Sequence, residues 1–449
     1  MEYRIRKGLD LHLAGAPLPM VDALPPSECC YIRPTDYRWL TPKMLVQPGD
    51  SVQVGTPLFA DKFDERIVFV SPVEGTVCEI VRGEKRVVEC IILSVDRNQP
   101  TIRKVDFNPP TTPETLRNLL LQYGLWPSMR QRPFSIIARP DDHPKALFIP
   151  CFDSAPLAPS YKMLLNEHRD NLLAGLRALR LLVGDKVPIH LCMSHKEDNL
   201  FLESLHDVQL QYFTGPHPAG NLGPQIHRIS PLDKGDIVWY IQPWNVAQIG
   251  RLLSKGELTF NRIFALTGPA IRHPHYYSTT LGMDVSRSFD HNLSEEHVRI
   301  ISGNVLSGTA VGDYVTPRFY DAQLTLLPEG GEREVLGWLR PNLHKWSFSH
   351  TFLAWLVKHH IFNFNTSQHG DQRNFVMTGV YDKVFPYQSI LPLELLKACK
   401  THNIELMEDL GIYEVDDEDF ALCEVVCPSK MPCQEMIREG LREILNENR

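Results

Sequence analysis

Residues 46–62, VQPGDSVQVGTPLFADK, and, after a short tip, residues 66–93, RIVFVSPVEGTVCEIVRGEKRVVECIIL, carry the clearest local pattern in the chain. Short runs rich in Val, Ile, Phe and Thr are interrupted at Pro48-Gly49-Asp50, Gly55, Pro72 and Gly75. Glycine supplies the left-handed backbone, and proline the fixed φ, that tight turns require. The spacing therefore predicts an all-β unit of short hairpins.

The paired signatures PGDxVxxGxPL and SPVEGTV resemble the two halves of a biotinyl or lipoyl-like domain, a barrel-sandwich hybrid. In carrier domains of that kind a lysine at the tip of the connecting hairpin is acylated, and Lys62 in FADKFDERIVF sits in a similar place. The distance from Lys62 to Pro72 is longer than the lipoyl pattern, and no Met flanks the lysine as in biotinyl domains. A solvated lysine on a structural barrel is the first expectation; a carrier protein modified at Lys62 is the alternative.

Outward from this unit the pattern turns helical. TPETLRNLLLQYGLW, residues 112–126, offers Thr112 or Thr111 as an N-cap and Pro113 in the first turn, with Glu114 placed to favour the helix dipole. Leu116, Leu119, Leu120 and Tyr123 then share one face. KALFIPCF, APSYKMLLNEHRDNLLAGLRALRLLVG, VPIHLCM, VQLQYFTG and IVWYIQPWNVAQIGRLLSKG continue as alternating strands and helices. Such alternation predicts parallel strands in an α/β layer of the Rossmann-like class. Short strands return over residues 259–330, and the remainder is rich in Trp, Phe and Leu. Helices are expected at 346–362, at 392–408 and in the final segment, where Met436, Ile437, Leu441 and Ile444 share a face.

With 449 residues the chain exceeds one hydrophobic core and should divide into roughly three domains. A hydrophobic fraction of 43% and a charged fraction of 22% are those of a folded globular protein. No apolar run approaches the length of a membrane span, and MEYRIRKGLDLHL has no secretory h-region, so the expected compartment is the cytoplasm and the ten cysteines are expected reduced. A net charge of −8 argues against nucleic acid as a partner. The acidic run 414–419 is read as a solvated loop.

Candidate chemistry is sparse. No GxGxxG and no GxxxxGK[ST] occurs, and YGLWPSMRQRPFS after the first helix is too bulky for a pyrophosphate cradle. The loop 215–229, GPHPAGNLGPQIHRI, with His217 and His227, could admit a ligand or another backbone closely. His273 and His275 form an H-x-H without a local third ligand, and His359 and His360 lie on an apolar segment. CEVVCPSKMPC, residues 423–433, keeps the C-x3-C-P close of an iron–sulfur motif, but projecting that motif backwards from Cys423 and Cys427 lands on Phe420 and Asp417. An iron–sulfur electron-transfer protein would have to use Cys423, Cys427 and Cys433 with a distant ligand such as Cys399.

In order along the chain, IRKGLDLHLAGAP, PGDxVxxGxPLFxDK, HPAGNLGPQIH, LTGPAIRHP, ISGNVLSG and the final CxxxCP resemble the NqrA family, one of the component families of the Na+-translocating NADH:quinone oxidoreductase. That family is related to a cluster-carrying component of the Rnf complex and to the FMN-binding component of complex I. The resemblance implies an α/β multidomain chain: a barrel-sandwich hybrid domain with an N-terminal arm (1–105), a Rossmann-like α/β domain (106–257), a β-grasp, SLBB-like domain (258–330) and a helical C-terminal domain with a degenerate cluster motif (331–449). GLWPSMRQRPFS stands where the relatives have their flavin loop, so the chain is expected to bind no cofactor of its own. The flavins and the 2Fe–2S centre would sit in partner subunits. The implied partners are the B to F components of the same complex, above all its membrane-embedded B component, on the cytoplasmic face of the bacterial inner membrane, with quinone as a possible substrate. Trp39, Trp126 and Phe134 are the apolar candidates for a quinone contact.

Overall fold

The computed structural model describes all residues except 26, 96–100, 166–167, 195–207, 331–336, 338–342, 344, 358–359, 369–371, 374–378 and 448–449. The hairpin-rich segment forms two facing sheets. One orders the strands Cys29–Ile32, Val88–Val95, Gly75–Arg82 and Ser51–Val52; the other orders Pro42–Met44, Pro57–Asp61 and Val68–Val70. Leu58, Phe59, Phe69, Val77, Ile91 and Leu93 fill the space between them. The alternation of exposed and buried side chains along these strands comes from the two-residue period of extended chain.

The next unit is a seven-stranded sheet with the order Glu2–Arg4, Gln209–Thr214, Ile189–Ser194, Ala146–Pro150, Val238–Tyr240, Arg130–Arg132 and Ile136–Ile137. The first five are parallel to one another, and Arg130–Arg132 joins antiparallel. Ala146–Pro150 is buried along its whole length, as a parallel strand covered on both faces must be. The predicted helix runs Pro113–Gln122, capped by the Thr112 side chain. Helices Arg169–Val183 and Pro243–Lys255 pack backbone to backbone, because a side chain at Gly175 would fall on the Val246 carbonyl and one at Gly250 on that of Asn171.

A six-stranded sheet follows: Leu18–Ala23, His275–Thr280, Asn261–Thr267, Gln323–Pro328, Val298–Ser302 and Thr309–Ala310. Two edges are closed by the N-terminal segment, which the sequence pattern marks only as an arm. Its first strand pairs with Gln209–Thr214 and its second with His275–Thr280. The C-terminal unit packs Pro392–Lys400, Ile404–Asp409, Ala421–Val426 and Cys433–Glu447 around Phe385, Phe420, Met407, Ile437 and Leu441.

Three sequence expectations change. Among the described residues of 346–362 the only helical turn is Leu353–Leu356. That stretch has apolar residues on every face, which gives a helix no side to turn to water. The expected loop 215–229 is helical over its second half, Leu222–Ile229. The acidic run 414–419 is not solvated, as Asp416, Asp417 and Asp419 are all buried.

Candidate functional site: a charged cavity at a four-way junction

In the seven-stranded sheet the chain leaves Ala146–Pro150 toward one edge and later returns to its other side as Val238–Tyr240, so the winding reverses between these two strands. Open α/β sheets place ligands just beyond the strand ends at such a reversal. A cavity of about 630 Å³ lies there. Pro150, Asp153, Tyr240 and Gln242 line it from the α/β sheet, Arg38 and Trp39 from the β-hairpin unit. Arg318 and Tyr320 face it from the six-stranded unit, and Asp416 and Arg438 from the helical one.

The wall is held by ion pairs that cross unit boundaries. Arg38 donates to Asp416 at 2.6 Å, to Asp417 at 2.5 Å and to the Phe134 carbonyl at 3.1 Å. Arg132, 3% exposed, reaches Asp416 at 3.2 Å and Glu418 at 2.7 Å. Ser135 donates its hydroxyl to Asp416, and Arg438 closes on Asp417 at 2.7 Å. Buried carboxylates demand such partners, because desolvating an unpaired charge costs several kcal/mol. Burial pushes the Asp416 carboxyl up, but Arg132 and Arg38 pull it further down, to well below the usual carboxylate range. A second pair, Arg318 with Asp36 at 2.8 Å, ties the six-stranded unit to the β-hairpin unit.

Backbone strain gathers at the same place. Trp39, Phe134 and Ser135 all have positive φ, at 56°, 82° and 50°. Residues with a Cβ avoid that region, so their surroundings must enforce it. Arg130 projects between two rings, 4.5 Å from the Tyr240 centroid and 4.0 Å from that of Tyr320. The cavity is thus a charged pocket with aromatic ledges. It can hold a polar, ring-bearing molecule by stacking and by charge-assisted hydrogen bonds.

Three curated relatives align from end to end. One from Rhodopirellula baltica is 35% identical over 451 residues, covering 99% of this chain and 98% of its own. One from Glaesserella parasuis is 36% identical over 448 residues, and one from Haemophilus influenzae 34% over 449, each covering 99% of both chains. All three carry the name of the first, or A, component of the Na+-translocating NADH-quinone reductase. The chain belongs to this NqrA family. Family models agree in order: the NqrA N-terminal barrel-sandwich hybrid domain over residues 3–96, the NqrA second alpha/beta domain over 111–258, and the NQRA C-terminal domain over 263–312. A solved chain of an NAD+-reducing NiFe-hydrogenase in the H2-reduced state overlays 76% of this chain and 62% of its own at 11% identity, with a TM-score of 0.37.

In this NqrA-family chain the three quinone candidates part company. Trp39 lines the cavity. Phe134 stands beside it, edge-on to Tyr413 at 6.3 Å. Trp126 is 1% exposed, packs edge-on against Trp239 and donates its indole N–H to the Ala138 carbonyl at 2.8 Å. Its surroundings are those of a core residue. Lys62 is exposed on the turn after Pro57–Asp61.

The degenerate motif is core. Phe420 is fully buried against Phe385, and Asp417 is held by Arg38 and Arg438. Cys427 lies 3.0 Å from the Tyr381 hydroxyl and Cys433 3.8 Å from it; burial raises the Cys423 thiol well above its ordinary range and takes Cys433 to about 12. The Cys423 and Cys433 thiols therefore stay protonated, whereas metal ligation needs thiolate. Cys399, packed elsewhere in the same core, is likewise raised to about 12 by burial. Among the described residues no group of three or more His, Cys, Asp and Glu is placed to hold a metal ion.

His275, His227, His360 and His217 make contacts within the fold. His275 lies 3.0 Å from Asp22, and His227 pairs with Glu414 at 2.5 Å, joining Leu222–Ile229 to the helical unit. His360 rests against Phe362, and His359 lies outside the described residues. His217 is 3% exposed, its Nδ1 3.1 Å from the Ser154 hydroxyl, and burial lowers it to about 4. An unfolded histidine titrates near 6.5, so between about 6.5 and 4 the unfolded chain binds the extra proton. The His217 contribution is therefore present above pH ~6.5 and is lost as the pH falls toward ~4, up to about 3 kcal/mol. Urea midpoints compared at about pH 7 and 5 should drop for the native chain and drop less for His217→Gln.

The feature that local sequence patterns did not reveal is the clasp itself. Its arginines and its acidic turn are separated by 378 residues for Arg38 and Asp416 and by 286 for Arg132 and Glu418. The available signal was a cluster of four acids opening directly onto the apolar helix Ala421–Val426.

Proposed function

We propose that this chain is the cofactor-free peripheral subunit of the Na+-translocating NADH:quinone oxidoreductase, the complex that couples NADH oxidation and quinone reduction to Na+ export. The observation that carries this reading is the end-to-end relation at 34–36% identity to proteins named as the NqrA component of that enzyme. Flavins and the 2Fe–2S centre then belong to partners among its B to F components. Docking is chiefly on the membrane-embedded B component, at the cytoplasmic face of the inner membrane. In support, no helix among the described residues is long and apolar enough to cross a membrane.

We take the units to run 1–105, 106–257, 258–330 and 331–449, the strands of the N-terminal arm completing the sheets of the second and third, with the α/β unit Rossmann-like and the six-stranded one a β-grasp. Within the complex the chain acts as a braced scaffold, and it meets quinone on the cavity wall that carries Trp39. A ring stacked on Trp39 would have guanidinium donors close by for its carbonyl oxygens. Calorimetric titration of the purified chain with a soluble short-chain ubiquinone should show saturable binding, weakened about tenfold in Trp39→Ala, the equivalent of one aromatic contact. Absence of saturable binding overturns the quinone contact. Stoichiometric flavin or iron in the purified chain overturns the cofactor-free reading, and failure to co-purify with membrane subunits from its host overturns the assignment to the complex. A carrier role at Lys62 is not favoured; an acyl adduct in the intact mass would restore it.

A further inference from the structure

Between Glu334 and Asp371 the chain has no acidic residue, although acids outnumber Lys and Arg by 54 to 46 overall. The same stretch contains Arg340, Lys345, Lys358, five histidines and three of the seven tryptophans. Part of it stands out from the surface. Leu353, Trp355, Leu356, Val357 and Ile361 are 40%, 55%, 57%, 43% and 63% exposed. A single exposed Leu needs no explanation, but five large apolar side chains exposed within nine positions do.

The patch rests on a built base. Ala354, in the same turn, is buried, which orients the turn Leu353–Leu356 with its larger side chains outward. Trp355 stacks on His350 at 5.3 Å, and nearby in sequence Trp346, Phe362 and Phe364 pack together. Phe362 exchanges backbone hydrogen bonds with the N-terminal segment, donating to His12 at 2.8 Å and accepting from Ala14 at 3.0 Å. The exposed residues are therefore presented by packed structure.

We propose that this patch is a membrane-surface contact, in which Trp355, Leu356, Val357 and Ile361 enter the headgroup–acyl boundary of an anionic phospholipid leaflet. Tryptophan with aliphatic residues, flanked by cations and free of acids, is the composition that interfacial segments share. An anionic leaflet carries negative charge across its whole surface, so an acid-free segment in an otherwise acidic protein matches it without any repelling group of its own. A protein surface of mixed sign would leave that one-sided charge uncomplemented. Four side chains make a shallow and reversible anchor, suited to setting the orientation of a peripheral protein that other contacts hold in place. The contact depends on the reading of this chain as a peripheral component of a membrane complex, and co-purification with membrane subunits tests that reading separately.

The purified full chain is sedimented with phosphatidylcholine vesicles and with vesicles containing about 30 mol% phosphatidylglycerol. Binding is expected to the anionic vesicles only, to weaken with added salt, and to shift tryptophan emission to the blue. Trp355→Glu/Leu356→Glu should lower the partitioning about tenfold or more while keeping the native circular dichroism and melting temperature, both positions being over half exposed. Native chain that ignores anionic vesicles, or a double variant that binds as well as native, overturns the proposal. Loss of assembly with the membrane subunits in the variant, when the native chain does not bind vesicles, would identify the patch as a protein-docking face and would also overturn it.

Discussion

Arg132→Ala is expected to destabilise the chain by about 3–5 kcal/mol, read as a lowered unfolding midpoint and as early proteolytic release of the helical C-terminal unit. Arg132 and Asp416 are each 3% exposed, so water cannot reach the carboxylate to replace the guanidinium. Removal leaves Asp416 with Arg38 and Ser135 as side-chain partners and takes from Glu418 its guanidinium at 2.7 Å, so the cost is that of under-compensated buried charge rather than of one lost hydrogen bond. Arg66 provides the comparison. It sits 2.6 Å from both Asp64 and Asp141, closer than Arg132 does to Asp416, yet its side chain is 50% exposed. Solvent screening reduces such pairs to about 0–1 kcal/mol, so Arg66→Ala should be almost silent. Equal effects of the two substitutions would show that the clasp does not hold the units together.

Asp419→Asn should remove a decline in stability that the native chain shows as the pH rises from about 5 to 8. Asp419 is 2% exposed, and burial pushes its carboxyl up to about 8 against the pull of Arg132, with Glu418 adding to the rise. The unfolded carboxyl titrates near 4, so the folded state binds the proton more tightly throughout that window. Its contribution is full below pH ~4 and disappears as the pH climbs through ~8. An asparagine carries the neutral form at every pH, and its side-chain oxygen can still accept the Asp416 N–H, now 2.9 Å from the Asp419 carboxylate. Melting temperatures across the range should slope for native and flatten for the variant; parallel slopes would contradict the assignment. Asp416, in the same turn, behaves oppositely. Its depressed carboxyl remains charged at every pH above the ordinary carboxylate range, so the clasp and the Asp419 proton coexist.

Much of the architecture could be read from local patterns, because hairpin turns and strand–helix alternation are encoded within a dozen residues of themselves. The Thr112 cap, the strand Ala146–Pro150 and the helix Cys433–Glu447 all lie where their periodicity points. The site could not be read that way. Whether residues 414–419 face water or core depends on whether arginines arrive to neutralise them, and those come from elsewhere in the chain. Trp39, Trp126 and Phe134 look alike as apolar residues near glycine and proline; only the assembled fold separates the cavity wall from the core. The stretch 346–362 misled for a related reason, since hydrophobicity without a polar face does not specify a helix.

The placement of the first strands has a consequence in time. During synthesis Glu2–Arg4 and Leu18–Ala23 emerge ahead of their partners, Gln209–Thr214 and His275–Thr280, which follow more than 180 residues later. At about 5–20 residues per second, a ribosome needs roughly ten seconds or more to deliver them. Until then both sheets wait with an open edge, and the β-hairpin unit, whose strands all pair within residues 29–95, is free to fold ahead of them. The N-terminal segment is in this sense made early and finished late: a latch that shuts only after the ribosome has made the sheets it secures.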